Sequence, residues 1–517
     1  MLTKNHTHHL LFLLTGFLLL VACQPQPPIL VYITPTHDEV ASASTAVPTI
    51  EASVAATENT PSLQSATAVP TETVPPQPTQ PLGPTQTFEG AVIAPGYTLP
   101  PTSTPRPTNT QPPPPPSATP VPGATQAPAA QPTNPPAAAP QGALPNLDAN
   151  MMGIQLDPTL NQTDWNNAIG DIHNLGVKWL KVQVSWKQLQ PNAAGEIGED
   201  FRRLEIYLET AFNSGLDILI SIAKAPNWAR SNQNEDGPPD DPQALVDFLN
   251  VFLREVGPSI DAVEIWNEPN LSREWQGLPL NGQSYMKYFV PAYNAAKQYA
   301  ESMKTDTNAP RNFPLYVITA GLAPTGQSDG SQDDREYLKQ MYSAGLAQYT
   351  DAYVGIHPYG WGNAPDDTCC HMSQDRGWDD NRKFFFMDNV QDYRDIMVQS
   401  GDTQGKMWAT EFGWATWAGF PGEPPQPWMA YVDECQQGND IIRAFQIGQS
   451  LDYMGPMILW NLNFAVLSGL VENRDERAAY SLITPLNPRE RAGYWMIYDA
   501  VRPNQQLQSY SRCPGPG

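Results

Sequence analysis

Two glutamates stand out by their surroundings. Glu268 follows the run Val263-Glu264-Ile265-Trp266-Asn267 and precedes Pro269, while Glu411 follows Met407-Trp408-Ala409-Thr410 and opens onto Phe412-Gly413-Trp414. A single glutamate on a loop is normally a solvated charge. Two of them, each at the tip of a buried run and each set among tryptophans, suit acid and nucleophile chemistry at the anomeric carbon of a sugar. One carboxyl group, protonated, helps the leaving group depart, and the other, ionised and about 5 to 5.5 Å away, attacks. In such pairs apolar walls favour the protonated acid, and donors from neighbouring side chains keep the nucleophile charged.

Such a pair needs a scaffold that brings two distant segments together. From residue 146 onward, eight short apolar runs recur, at 151–156, 177–184, 217–222, 262–266, 315–320, 352–357, 406–410 and 456–460. Helical patterns separate them, at 164–176, 201–215, 242–257, 285–303, 335–347, 389–401 and 440–455, and a last one at 488–501 closes the chain; several end in glycine, as helix C-termini do. Eight strands each followed by a helix predict an α/β fold, a (β/α)8 TIM barrel with enlarged loops. A doubly wound open sheet also alternates strand and helix, but its Gly-rich phosphate loop is replaced after the first strand by Gly153-Ile154-Gln155-Leu156-Asp157. In a barrel, catalytic side chains sit at the C-terminal strand ends. Strands four and seven, nearly opposite one another, then deliver Glu268 and Glu411 to the same face.

On these residues the chain resembles the clan A retaining glycoside hydrolases, over most of residues 150–505, with families 5 and 39 the most similar. Trp266-Asn267-Glu268-Pro269 resembles the clan's fourth-strand signature, which implies Glu268 as general acid/base and Asn267 as a donor to the nucleophile or the sugar 2-hydroxyl. Thr410-Glu411-Phe412-Gly413 is similar to the seventh-strand signature and implies Glu411 as nucleophile. His357-Pro358-Tyr359 resembles the His-x-Tyr pattern whose tyrosine orients the nucleophile, and Trp460 matches the sugar-stacking tryptophan of strand eight. At strand two the clan places an arginine near the nucleophile; this chain offers Lys181, which can donate to a carboxylate but lacks the bidentate fork.

Loop aromatics supply the direct sign of a carbohydrate. Trp186, Trp228, Trp361, Trp378, Trp414, Trp417 and Trp428 fall in or near βα loops, where flat apolar faces can stack on pyranose rings. Trp186 is accordingly expected among the substrate-binding residues, and the long loop from Gly360 to Met387 is expected to wall the cleft.

The N-terminal part is of another kind. Residues 1–22 pair a short segment carrying Lys4 with an apolar run from Leu10 to Ala22, the pattern of a signal peptide and shorter than the roughly 20 residues a bilayer requires. Leu20-Val21-Ala22-Cys23 resembles the lipobox of bacterial lipoproteins, which implies a lipid on Cys23 and an exported, membrane-anchored protein. Residues 23–145 are rich in Pro, Thr, Ala, Ser and Gln and hold most of the chain's 55 prolines. Such a segment cannot bury enough apolar surface to offset its ordering entropy, so a disordered, semi-rigid linker is expected before a catalytic domain at 146–517.

A formal charge of −24, with 29 Lys and Arg spread over 517 residues, excludes a nucleic-acid partner. Of the cysteines beyond Cys23, Cys369 or Cys370 is expected to pair with Cys435 or Cys513, because adjacent cysteines rarely bond to each other. A zinc site on Cys369, Cys370 and His371 matches none of the usual ligand spacings. The expected activity is therefore retaining hydrolysis of β-linked oligo- or polysaccharides by a monomer, without cofactor or metal. The alternatives are a lipid-anchored carbohydrate-binding protein on the same barrel and a transglycosylase using the same two glutamates.

Overall fold

The computed structural model describes residues 147–306, 315–370, 379–509 and 513. The expected signal peptide, Cys23, the linker, His371 and Trp378 lie outside the described residues. Among the described residues, no helix is long and apolar enough to cross a membrane.

The eight runs form strands β1 (Met152–Leu156), β2 (Trp179–Ser185), β3 (Asp217–Ala223), β4 (Ala262–Ile265), β5 (Tyr316–Thr319), β6 (Ala352–Ile356), β7 (Met407–Phe412) and β8 (Met454–Leu459). Each pairs in parallel with the next and β1 pairs with β8, so the sheet closes into the predicted barrel. Helices α1 (Gln162–Leu175), α2 (Trp186–Leu189), α3 (Glu199–Asn213), α4 (Pro242–Val256), α5 (Gly282–Thr305), α6 (Asp334–Ser343), α7 (Phe386–Gln399), α8 (Glu434–Ser450) and α9 (Ala492–Ala500) follow. Local chemistry sets their ends. At α1, Asn161 accepts from the Asp164 backbone N–H, and Gly176 stops the helix at φ 87°, a left-handed turn that glycine adopts without strain. At α4, Asp241 caps the first turn and Pro242 occupies a position where no N–H is needed.

Side chains on a strand alternate with a period of two, so every second residue points into the barrel. The N-terminal layer of that interior is apolar: Trp179, Leu219, Ala262, Ile318, Trp408 and Ile458 form one buried cluster. Trp179 and Trp408 meet edge to face at 4.8 Å across it. Two residues further along the same strands the character changes. Lys181 follows Trp179, Ser221 follows Leu219, Glu264 follows Ala262 and Thr410 follows Trp408, and all four are fully buried. Outward-facing positions such as Leu180, Val182, Ile218, Ile220 and Val263 pack beneath the helices in the main core.

The cysteines correct an expectation. Cys369 bonds to its neighbour Cys370, and Cys435 bonds to Cys513 with the two Cα atoms 5.6 Å apart. Pairing follows which segments meet in space: the C-terminal segment returns to α8, where Cys435 lies, and Cys369 is held instead at α7, its N–H donating to Asp388 Oδ2 at 2.6 Å. With both sulfurs bonded to each other, Cys369 and Cys370 offer no thiolate to a zinc ion.

Candidate active site

Glu268 reaches the barrel mouth through a sharp exit from β4. Trp266 and Glu268 both have positive φ, 77° and 41°. That left-handed region is strained for bulky side chains and persists where surrounding contacts enforce it. Here the buried Trp266 indole donates to Glu274 O at 3.0 Å, and the Glu268 N–H donates to Gly321 O at 3.0 Å.

Glu411 arrives by a different device. Trp408 and Thr410 point into the barrel, so strict alternation would turn Glu411 outward. The β7–β8 pairing shifts register between Ala409 and Phe412. Such irregularities re-aim side chains next to functional sites, and Glu411 is turned over the mouth, where only 5% of it is exposed.

Two strand ends far apart in the sequence are thus brought together. One oxygen of Glu268 and one of Glu411 lie within 4.8 Å of each other, with a ring nitrogen of His357 inside the same radius. His357, buried at the end of β6, places Nδ1 3.1 Å from Glu268 Oε1 and 3.8 Å from Glu411 Oε2. Tyr359 donates its hydroxyl to Glu411 Oε2 at 3.0 Å. Lys181, fully buried, contacts Glu411 Oε1 at 3.0 Å, Thr410 O at 3.1 Å and Glu264 Oε2 at 3.2 Å. Lysine therefore occupies the neighbourhood of Glu411 as a point charge shared by two carboxylates.

The electrostatics follow from these contacts. Burial pushes the Glu411 carboxyl up, but the Lys181 charge, His357 and the hydrogen bonds from Lys181 and Tyr359 outweigh it and hold the group below the usual carboxylate value. For His357, burial pushes the imidazole down and the charges of Glu411 and Glu268 more than reverse it, so it sits above its ordinary value. Burial, then Glu411, pushes the Tyr359 phenol well up, so it remains a donor. Glu268, His357 and Glu411 are close enough to bridge a cation, but the Lys181 ammonium already neutralises Glu411 Oε1 and Tyr359 occupies Oε2. The cluster is arranged to hold one carboxylate charged and to move a proton.

Above the pair lies a cavity of about 610 Å³. Tyr359, Trp361, Trp428, Trp460 and Tyr480 form an aromatic wall, with Trp460 5.0 Å from Tyr480 and Trp361 5.0 Å from Trp428. The opposite wall is charged: Lys187 and Lys224 share Asp236, and Arg273 reaches Glu268 Oε2 at 3.4 Å. Glu274, also on this wall, is pushed up to about 7, chiefly by burial. Asn267 lines the cavity, and its buried Oδ1 accepts no hydrogen bond among the described residues.

Not every expected residue reaches this cleft. Trp186 is fully buried, stacks on Phe248 at 4.8 Å and does not line the cavity. The start of α2 at Trp186 turns the ring toward α4, so it is a core residue. Trp414 and Trp417 are likewise buried, Trp414 donating to Asn363 O at 2.8 Å, and Trp228 donates to Gln190 O at 2.8 Å. From the 360–387 loop, Trp361 does wall the cleft, backed by Phe384 at 5.0 Å.

Sequence reasoning passed over Glu264, Gly321 and Tyr480. Glu264 carried a signal, a charged residue at an inward position of an apolar strand. Gly321 is needed by space: a Cβ there would stand 2.1 Å from His357 Nε2 and 2.7 Å from Thr410 Oγ1. Tyr480 comes from the loop after β8, and nothing in its sequence neighbourhood marked it.

No protein-family model matches the sequence and no curated protein matches it. Among solved structures the chain is similar to a family 39 glycoside hydrolase from Bacteroides cellulosilyticus WH2, at 15% identity and TM-score 0.49, covering 68% of this chain and 63% of that one. It is also similar to a beta-glucosidase from Exiguobacterium marinum, at 11% identity and TM-score 0.43, covering 69% of this chain and 99% of that one. A family 30 subfamily 8 xylanase from Clostridium acetobutylicum matches at 12% identity and TM-score 0.39, over 70% and 73% of the two chains. This chain thus spans less than two thirds of the family 39 structure. The barrel stands on its own strand pairing, and the chemistry on the geometry of Glu268 and Glu411, independently of these likenesses.

Proposed function

We propose that this chain is a retaining glycoside hydrolase acting on β-linked oligo- or polysaccharides. The observation that carries the reading is the separation of the two carboxylates, within 4.8 Å oxygen to oxygen. That suits direct attack by one of them, as in retaining enzymes, whose carboxyl groups lie about 5 to 5.5 Å apart against about 6.5 to 9.5 Å in inverting ones. Glu411, kept ionised by Lys181 and Tyr359, attacks the anomeric carbon. Glu268 gives its proton to the departing oxygen, then takes one from the water that releases the glycosyl-enzyme. The sugar lies against Trp460 and Tyr480, with Asn267 donating to its 2-hydroxyl. Clan A membership, implied by the four strand-end motifs, belongs to the same proposal. So does attachment to a membrane through a lipidated Cys23 and the linker of residues 23–145, which rests on the sequence pattern alone.

Incubating the full chain with β-xylan, β-mannan, β-glucans and the matching aryl β-glycosides tests the reading. Release of reducing sugar by the wild type, absent in Glu411→Ala, is expected. Binding of these glycans without turnover would replace the enzyme by a carbohydrate-binding protein, and products longer than the substrate would indicate a transglycosylase.

A further inference from the structure

Beneath the pair, inside the barrel, lies a third carboxylate. Glu264 is fully buried, and its polar contacts among the described residues lead to the two glutamates above it. Its Oε2 faces Lys181 Nζ at 3.2 Å, and the same ammonium contacts Glu411 Oε1 at 3.0 Å. Its Oε1 accepts from Thr410 Oγ1 at 2.7 Å, the residue that carries Glu411 on the backbone. The same oxygen accepts from the Gly321 N–H at 2.9 Å, and the Gly321 carbonyl in turn receives the Glu268 N–H. It also stands 4.0 Å from His357 Nε2, whose other nitrogen touches Glu268.

A carboxylate is costly to bury, and a protein seeking stability alone would do as well with an apolar residue there. The neighbouring layer of the same interior is filled in that way, by Trp179, Leu219, Ile318 and Trp408. We propose that Glu264 is the positioning residue of this site, holding Lys181 against Glu411 and, through Gly321 and Thr410, fixing the backbone at both glutamates. The inference rests on the glycosidase reading for the roles of Glu268 and Glu411, but the positioning itself does not.

Glu264→Gln is the informative change. Gly321 N–H can only donate, so the amide oxygen must stay at the Oε1 place and the amide NH₂ must face the Lys181 ammonium. Two donors then oppose each other and Lys181 leaves its position. The groups that face Glu411 besides Lys181 are His357, Tyr359, Glu268 and Tyr480; of these, His357 stands 4.0 Å from Glu264 and Glu268 is linked to it through Gly321. With the Lys181 charge drawn off, Glu411 holds its proton to higher pH. Loss of the Glu264 charge alone would move Glu411 down, because Lys181 still has Glu411 and Thr410 O as acceptors, so a rise in the Glu411 titration reports the displacement of Lys181. The side-chain carboxyl ¹³C signal of Glu411, assigned by its absence in Glu411→Gln, should therefore titrate at higher pH in Glu264→Gln than in the wild type. On an aryl glycoside, kcat/KM should fall by about 10- to 100-fold with its acid limb moved up, since one charge-assisted contact to the nucleophile is lost.

Titrations that stay where they were or move down would mean that Lys181 keeps its place without Glu264, which overturns the inference whatever the melting point does. Should Glu264→Gln not fold, Thr410→Val removes only the hydroxyl contact at constant shape. A several-fold fall in kcat with unchanged KM sustains the inference, and wild-type kcat overturns it. If the wild type hydrolyses no glycoside, the glycosidase reading fails, and the ¹³C titration of Glu411 still decides whether Glu264 positions it.

Discussion

The two layers of the barrel interior are built from the same strands, two residues apart, and they obey opposite rules. In the N-terminal layer Trp179, Leu219, Trp408 and Ile458 fill space, and each contact is replaceable by another of similar volume. In the C-terminal layer Lys181, Glu264, Thr410 and His357 satisfy one another's charges and hydrogen bonds, so removing one leaves a buried partner exposed to the full cost of its desolvation. Closing the bottom with aromatics gives the top a rigid, dry floor. On that floor a single ammonium can hold a carboxylate ionised, because the low local dielectric strengthens the pairing that water would screen.

The comparison predicts that changes above cost chemistry and changes below cost stability. The largest effect is expected for Glu411→Ala, whose kcat should drop by about 10⁴-fold or more while the protein stays folded, since Lys181 keeps Glu264 as its partner. Added azide should restore turnover and give a glycosyl azide of inverted configuration; turnover at the wild-type rate without azide would remove Glu411 from its role.

Lys181→Met should breach the division, because it strips a charge from two buried carboxylates. Unfolding by urea should show a loss of about 3 to 5 kcal/mol, the cost of leaving a buried partner unpaired. The sign on activity follows from Glu411: Lys181 depresses its pKa, so without it Glu411 protonates at higher pH and the acid limb of kcat/KM moves up. The stability that Glu411 contributes obeys the same sign. With its folded value below the ordinary 4.5, that contribution is present above 4.5 and is lost as pH falls through the folded value. In Lys181→Met the loss should begin at higher pH, as acid-unfolding curves would show.

In the lower layer, Trp408→Ala should cost about 3 to 5 kcal/mol in the same urea titration. The kcat of the folded fraction should stay at the wild-type level; a fall comparable to that of Lys181→Met would erase the distinction between the layers. Gly321→Ala tests the junction between them. Its Cβ would displace His357 and Thr410, so a lower kcat together with about 1 to 3 kcal/mol of destabilisation is expected. Tyr359→Phe should be the mildest, removing one hydrogen bond to Glu411 for about a tenfold loss of kcat and about 1 kcal/mol of stability.

The barrel was legible because its strands are buried on both sides and read as apolar runs, and their order left one way to close. The catalytic-face residues at strand ends were legible for the same reason: Glu268, Glu411, His357 and Tyr359 follow directly on those runs and do meet at the mouth. What depends on contacts between distant segments was not legible. Trp186 reads like a loop aromatic, but its ring is turned into the core by the helix that begins at it. Glu264 reads as one more strand residue until the closed barrel puts Lys181, Thr410 and Gly321 around it. The partners of Cys369 and Cys435 depend on where two loops and the C-terminal segment come to rest, which no spacing records.

In the proposed reaction the charged layer holds Glu411 as a nucleophile within reach of the carbon whose bond Glu268 helps to cleave. Proton NMR of the first sugar released from an aryl β-glycoside, recorded before mutarotation, tests it most directly. The β-anomer is expected first, the configuration of the substrate preserved by two displacements. The α-anomer first would mean a single displacement by water, and Glu411 would then be a base and not the nucleophile.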